Sequence, residues 1–473
     1  MTKTLTVGAP ARVIVLFAIP LLLGNVFQQI YHFTDAVVVG RLLGVNALAA
    51  VGSTSSVLFL LLGFTFGAAG GMAIPVARSF GSGDLAATRR FIALGAVVSA
   101  AIAIAVTVIG TLVAEPLLHL MRTPPELMSD ATVFLQASFL ATPVTMAFNY
   151  VTAVIRALGD SRTPLFFLMA CSVLNAALVY FFIGTVGLGV GGAALATAVA
   201  QFVSVVGCAW WVLRHNATLR LVRADWRPMP GEASDSVRPG LALGFQMSVI
   251  AIGAVVLQQA INGLGADAVA AATTAMRIDQ LAVASLSAFG VAMTTFVAQN
   301  QGAERWGRIR SAVLQVSCVT WALALVLGLI LVVFGAPIAE MFIGVGEPEI
   351  VRLTHDYLMV QAVCYPVLAS VFVLRHSIQG LGATLVPTLA GFMELGVRSA
   401  VGLLLVGPLG FMGVALAAPL AWVGALVPIT IAWFGHRRQM LAWESEQFEP
   451  MPAAEPDRVS EPDHAAEPEL AYA

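Results

Sequence analysis

The chain has 473 residues, 59% of them hydrophobic and 11% charged, with a formal net charge of −2 and a mean hydropathy of +0.89. Soluble domains carry about 25% charged residues, so this chain lacks the polar surface that solvation of any such domain requires. A soluble enzyme, a nucleic-acid binder and a disordered regulator are excluded; the composition is that of a polytopic membrane protein.

In chain order, apolar segments fall near residues 13–36, 46–75, 91–114, 131–155, 164–184 and 189–213. They resume near 239–262, 267–297, 311–335, 352–378, 386–407 and 411–435. Each is long enough to cross a hydrocarbon core, which takes about 20 residues. In lipid the backbone must satisfy itself, so each segment is predicted to be a helix; the short alternating strands of a closed barrel are not seen. The first segment follows Arg12 without a small-residue cleavage site, so it reads as a span and not as a signal peptide.

Residues 214–238 form a basic linker, and residues 437–473 gather Glu449, Glu455, Asp457, Glu461 and Asp463 among several prolines. That composition predicts a disordered acidic tail. Four units follow: an N-terminal lobe over 1–213, the linker over 214–238, a C-terminal lobe over 239–436 and the tail over 437–473. With the N-terminus inside, Arg78, Arg89, Arg90, Arg156, Arg305, Arg308 and Arg437 share the linker's side, against Arg41, Arg122 and Arg352 in the outer loops. The positive-inside rule then places both termini in the cytoplasm.

The two lobes repeat one another. Leu43-Gly44-Val45-Asn46-Ala47 matches Leu264-Gly265-Ala266-Asp267-Ala268, and Ile155 through Pro164 matches Ile378 through Pro387, at offsets of 221 and 223 residues. Six spans per lobe return the chain to one side, so the lobes are parallel repeats, with a cavity expected near the midplane. The fold class is all-α: twelve transmembrane helices in two pseudo-symmetric six-helix lobes, an architecture of transporters.

A carboxylate at a span centre costs about 2.5–3.5 kcal/mol on insertion scales, so buried acids point to function. Outside the tail only Asp35, Asp279 and Glu394 sit well inside spans. Glu394 precedes Arg398 by one helical turn, which predicts a local ion pair. Asp279 lies two residues after Arg277, too close for one face, and can pair across helices. These four residues are candidates for a relay or gate. Asp35 has no such neighbour: Gln28, Tyr31 and His32 share its stripe, and Arg41 lies beyond the helix end. Without a counter-ion such a carboxylate can exchange a proton near neutral pH, as ion coupling requires. His32 is a candidate relay, with a satisfied buried imidazole as the alternative.

Asn149, Asn175, Thr197 and Gln201 are further polar residues inside spans. By the repeat, Asn175 corresponds to Arg398 and Asp35 to Ala254 or Val256, so the ion site is expected in the N-terminal lobe. Pro20, Pro143 and Pro366 permit kinks. The Gly67-Ala68-Ala69-Gly70-Gly71 run lacks the Lys-Ser/Thr of a phosphate loop and reads as a helix-packing surface. Cys171, Cys208, Cys318 and Cys364 form neither a disulfide framework nor a zinc site.

Pro20, Gln28, Tyr31 and Asp35, followed by Gly40 and Ala49-Ala50-Val51-Gly52, resemble the first two helices of multidrug and toxic compound extrusion (MATE) transporters. The segments Gly81-Ser82-Gly83-Asp84, Arg156-Ala157-Leu158-Gly159-Asp160-Ser161 and Gly191-Gly192-Ala193-Ala194-Leu195-Ala196-Thr197 are also similar to that family, and the likeness covers about residues 10–440. It implies a V-shaped transporter that exports cationic or amphipathic compounds in exchange for protons or sodium. Its coupling site would be Asp35 with Asn175 and Thr197, and Gln28, Tyr31 and Asn149 would contact substrate. The branch whose ion site lies in the N-terminal lobe often has a second aspartate where this chain has Val179. Where the sodium-coupled branch has C-terminal carboxylates, this chain offers Gln246 or Met247 and about Leu368. The resemblance therefore implies proton coupling, with sodium at Asp35 as the alternative. No cofactor, resident metal or nucleic-acid partner is expected, and the protein should be a monomer in the lipid bilayer of the plasma (inner) membrane. A lipid-linked saccharide flippase is the competing transport function; a membrane-embedded enzyme or receptor would need a catalytic cluster or signalling domain that is not seen.

Overall fold

The computed structural model describes residues 4–121, 123–215, 220–344 and 346–448. All regular structure among them is helical. The N-terminal lobe comprises α1 (Pro10–Leu43), α2 (Val45–Ser53), α3 (Ser55–Gly81), α4 (Leu85–Leu120), α5 (Pro125–Leu140), α6 (Thr142–Ala157), α7 (Arg162–Tyr180) and α8 (Gly189–His215). The C-terminal lobe comprises α9 (Glu232–Asn262), α10 (Ala266–Gly302), α11 (Trp306–Ile343), α12 (Pro348–Gly380), α13 (Leu385–Leu404), α14 (Val406–Leu409) and α15 (Phe411–Phe448).

Ten of these helices are long and apolar enough to cross a membrane, α7 counting with its π-helical end Phe181–Thr185, and α5 with α6 makes an eleventh span bent by 46°. Pro143, in the first turn of α6, cannot donate the bond that would carry the helix through the break. The 20-residue α13 carries Glu394 and Arg398 and completes six spans in each lobe.

Several boundaries move. The apolar run 46–75 is two helices, broken at Thr54, whose hydroxyl turns back to the Val51 carbonyl at 2.7 Å. Residues 232–238, expected in the linker, are the first turns of α9. In the described part of the linker the turn Arg223–Trp226 places Asp225 3.2 Å from Arg89 of α4. Residues 437–448 continue α15; the remainder of the acidic tail lies outside the described residues.

The lobes meet at the end that holds residues 4–9 and the linker, and glycine sets how closely. A Cβ on Gly67 would overlap the Leu243 carbonyl, and one on Gly71 the Pro239 carbonyl, so only glycine lets α3 and α9 approach to this distance. Gln299 of α10 accepts from the Leu5 backbone N–H at 2.8 Å and donates to the Ala157 carbonyl of α6 at 2.7 Å, tying both lobes together.

α1 belongs to both lobes. Its first half buries Ile14, Phe17 and Ala18 in the C-terminal lobe's core, and Asn25 donates to the Ala284 carbonyl of α10 at 2.9 Å. Its second half packs Val39 with Val179, Ile183 and Ala196 of the N-terminal lobe. Pro20 lies in the first half, where its missing N–H weakens the helix ladder.

The same split marks α10. Positions 273, 277, 284, 288, 295 and 299 recur at steps of four and seven, which is one helix face. Toward the Gly302 end this face is buried at Ala288, Thr295 and Gln299, and Gln299 meets the N-terminal lobe at the Ala157 carbonyl. Toward the Ala266 end it is exposed at Thr273 and Arg277. The lobes therefore close at one end and part at the other, leaving a cleft.

Candidate functional site

The second half of α1 presents Tyr31 and Asp35, one turn apart, to the N-terminal lobe. Thr197 of α8 accepts a hydrogen bond from the Tyr31 hydroxyl at 2.9 Å and one from Asn175 Nδ2 of α7 at 3.2 Å, and donates to the Ala193 carbonyl at 3.2 Å. Asn175 is 1% exposed. Asp35 lies within charge reach of Tyr31 and of Cys171, one turn before Asn175 on α7. The carboxylate is thus aimed at the seam between α1 and α7. Asp35 Oδ1 and Asn175 Oδ1 are both buried there with no donor. A buried acceptor without a donor is costly, and two in one cluster suit a proton or a small cation, which brings the missing positive charge.

Four of the expected residues, Tyr31, Asp35, Asn175 and Thr197, come together. Two do not join them. Gln28 is exposed and makes no hydrogen bond among the described residues. Asn149 turns to α3 and donates to Thr65 Oγ1 at 3.2 Å. The side chain of His32 lies outside the described residues. Gln201 accepts from Thr145 at 2.7 Å in a separate bond between α6 and α8.

In the C-terminal lobe the expected Glu394–Arg398 pair is replaced. Glu394 is ion-paired with Arg375 of α12, both side chains 6% exposed. The i,i+4 spacing offered a partner on one helix, but α12 brings a guanidinium to the carboxylate from the buried side. Asp279 accepts from the Tyr365 hydroxyl at 2.8 Å, within charge reach of Arg398. Gln246 accepts from Gln379 Nε2 at 2.9 Å. Arg375, Tyr365 and Gln379 were not singled out from sequence; they lie on α12, Tyr365 about three turns before Arg375 and Gln379 about one turn after it, in a helix whose polarity has no simple stripe. Asp279 and Glu394 are each answered by a donor, whereas Asp35 Oδ1 is not. Among the described residues no group of three or more His, Cys, Asp or Glu could hold a metal ion.

Comparison with known proteins gives a consistent picture. The MatE family model matches residues 20–181 and 242–404, once in each lobe. The chain is 28% identical over 382 residues to YpnP, a probable multidrug resistance protein of Bacillus subtilis, covering 80% of this chain and 84% of that one. It is 25% identical to YoeA, a second such protein of the same organism, over 82% and 86% of the two chains. A solved structure, an outward-facing conformation of a multidrug resistance MATE family transporter of the MOP superfamily, superposes with a TM-score of 0.85 at 21% identity. That alignment covers 94% of this chain and 99% of the other.

Proposed function

Because this chain belongs to the MatE family of transporters, we propose that it is a cation-coupled secondary antiporter that exports cationic or amphipathic compounds by alternating access. The observation that carries this reading is the buried, donorless Asp35 Oδ1 on a helix whose two halves pack into different lobes. A proton arriving there neutralises the carboxylate and supplies the missing donor. The second half of α1 then repacks against α7 and α8, while its first half stays seated in the C-terminal core. Relative movement of the two halves is how occupancy at Asp35 opens or closes the cleft. A ligand shifts such an equilibrium only by its differential affinity for the two states, and a desolvated carboxylate gives a cation that difference.

The proton is the preferred ion, since this cluster offers one carboxylate where a multidentate sodium site draws on several oxygens. The arginine distribution supports cytoplasmic termini, which makes the closed end cytoplasmic and the cleft outward-facing. The names of its relatives support a multidrug range of small molecules, and a monomer in the plasma (inner) membrane accords with two complete lobes in one chain. Tyr31, Asn175 and Thr197 serve the coupling cluster; Gln28 and Asn149 serve substrate, Gln28 from an exposed position on α1.

The reading is tested by ethidium export from proteoliposomes under separately imposed proton and sodium gradients. A proton gradient alone should drive accumulation against the dye gradient. Dye movement that follows neither gradient would remove ion coupling.

A further inference from the structure

Arg277 sits on the exposed outer part of the α10 face that, nearer Gly302, is buried and meets the N-terminal lobe at Gln299. Two turns on, the same face carries Ala284, whose carbonyl accepts from Asn25 of α1, so this register turns Arg277 toward α1 and the cleft and away from lipid, where an arginine at a span centre costs about 2.5–3.5 kcal/mol. Among the described residues it makes no hydrogen bond or ion pair. Asp279, its nearest acid in sequence, lies about 200° around the helix and is taken by Tyr365. Beside Arg277 on the same outer face, one turn to either side, are Thr273 and Gln280, both exposed. The C-terminal wall of the cleft thus carries a free guanidinium flanked by two polar side chains, facing the lobe that holds Asp35.

We propose that Arg277 binds an anionic group, a carboxylate or phosphate, on the transported compound, with Thr273 and Gln280 supplying further hydrogen bonds. Among the exported amphipaths, those with an anionic or zwitterionic group are then the ones this wall holds best, and a purely cationic compound gains nothing from it. A planar guanidinium is matched to such a group, which it grips through two parallel N–H bonds, and in a half-desolvated cleft that bond outweighs its counterpart in water. The inference rests on the reading of the cleft as the transport path, and adds the charge of what enters it.

The test uses two dyes that differ only at one carboxyl: rhodamine B, with a free carboxylate, and its ethyl ester. Equilibrium binding to the purified full-length protein is measured for the wild type, Arg277→Gln and Arg277→Lys. The wild type should bind the acid more tightly than the ester. Arg277→Gln should weaken the acid about tenfold, the loss expected for one charge-assisted hydrogen bond, and change the ester by less than about twofold. Arg277→Lys keeps the charge but not the two parallel bonds, and should recover part of the acid's affinity. Unchanged ester binding shows that the variant is folded. A wild type with no preference for the acid, or an Arg277→Gln variant that weakens both dyes equally or neither, overturns the proposal. Because binding is read without any ion gradient, this outcome is independent of whether transport is ion-driven.

Discussion

Tyr31 of α1 and Thr197 of α8 are joined by a 2.9 Å hydrogen bond in which the phenol donates, one turn from Asp35. Thr197 is the shared acceptor of Tyr31 and Asn175, so a single hydroxyl holds α1, α7 and α8 in register around the carboxylate.

Thr197→Val keeps the shape and removes the acceptor. Tyr31 and Asn175 then lose this acceptor, at about 1–3 kcal/mol each, and the bond between α1 and α8 is broken. The expected outcome is a folded protein whose gradient-driven dye export falls several-fold, whereas Thr197→Ser stays near wild type. Initial export rates in proteoliposomes, normalised to reconstituted protein, decide it.

Arg375 and Glu394 form a pair buried on both sides, and removing one partner strands the other. Glu394→Ala should therefore destabilise the C-terminal lobe by about 3–5 kcal/mol. The double variant Arg375→Met/Glu394→Leu removes both charges and should recover much of the loss. Thermal unfolding in detergent reads this directly: equal Tm values for wild type and Glu394→Ala would mean that the pair is not structural.

Gly71 faces the Pro239 carbonyl with no room for a Cβ. Gly71→Val forces α3 and α9 apart at the closed end, and the form with that end shut becomes strained. Cysteines placed near Ser82 and Gly302 should become more reactive toward a water-soluble maleimide in this background, and export should fall close to background. Unaltered labelling would show that the lobes do not close through this contact.

Much of the architecture is legible in the sequence because lipid leaves a spanning backbone one solution, and because the two halves repeat at a near-constant offset. The breaks at Thr54 and Ala141 are not. Hydropathy runs on across both, and only local hydrogen bonding and the Pro143 ring interrupt the helix. Asp35 stands out because no arginine or lysine lies within a turn of it, and Asn175 and Thr197 because they are polar inside apolar spans. Asn149 carries the same signal but bonds Thr65, since the side chain's direction depends on how α6 rotates after its bend. Glu394 shows the limit of spacing rules most clearly: Arg398 was one turn away, yet Arg375 is its partner, chosen by a tertiary contact that no periodicity records.

Asp35 is proposed here as the group through which a cation drives transport. The direct test is Asp35→Asn in proteoliposomes, with dye binding and gradient-driven export measured on one preparation. Asparagine keeps the shape and supplies its own donor to the seam, so binding should persist within about threefold, the range over which such isosteric changes leave contacts intact. Export against a dye gradient should be lost under both proton and sodium gradients. Export at the wild-type rate by the Asp35→Asn protein would contradict the account.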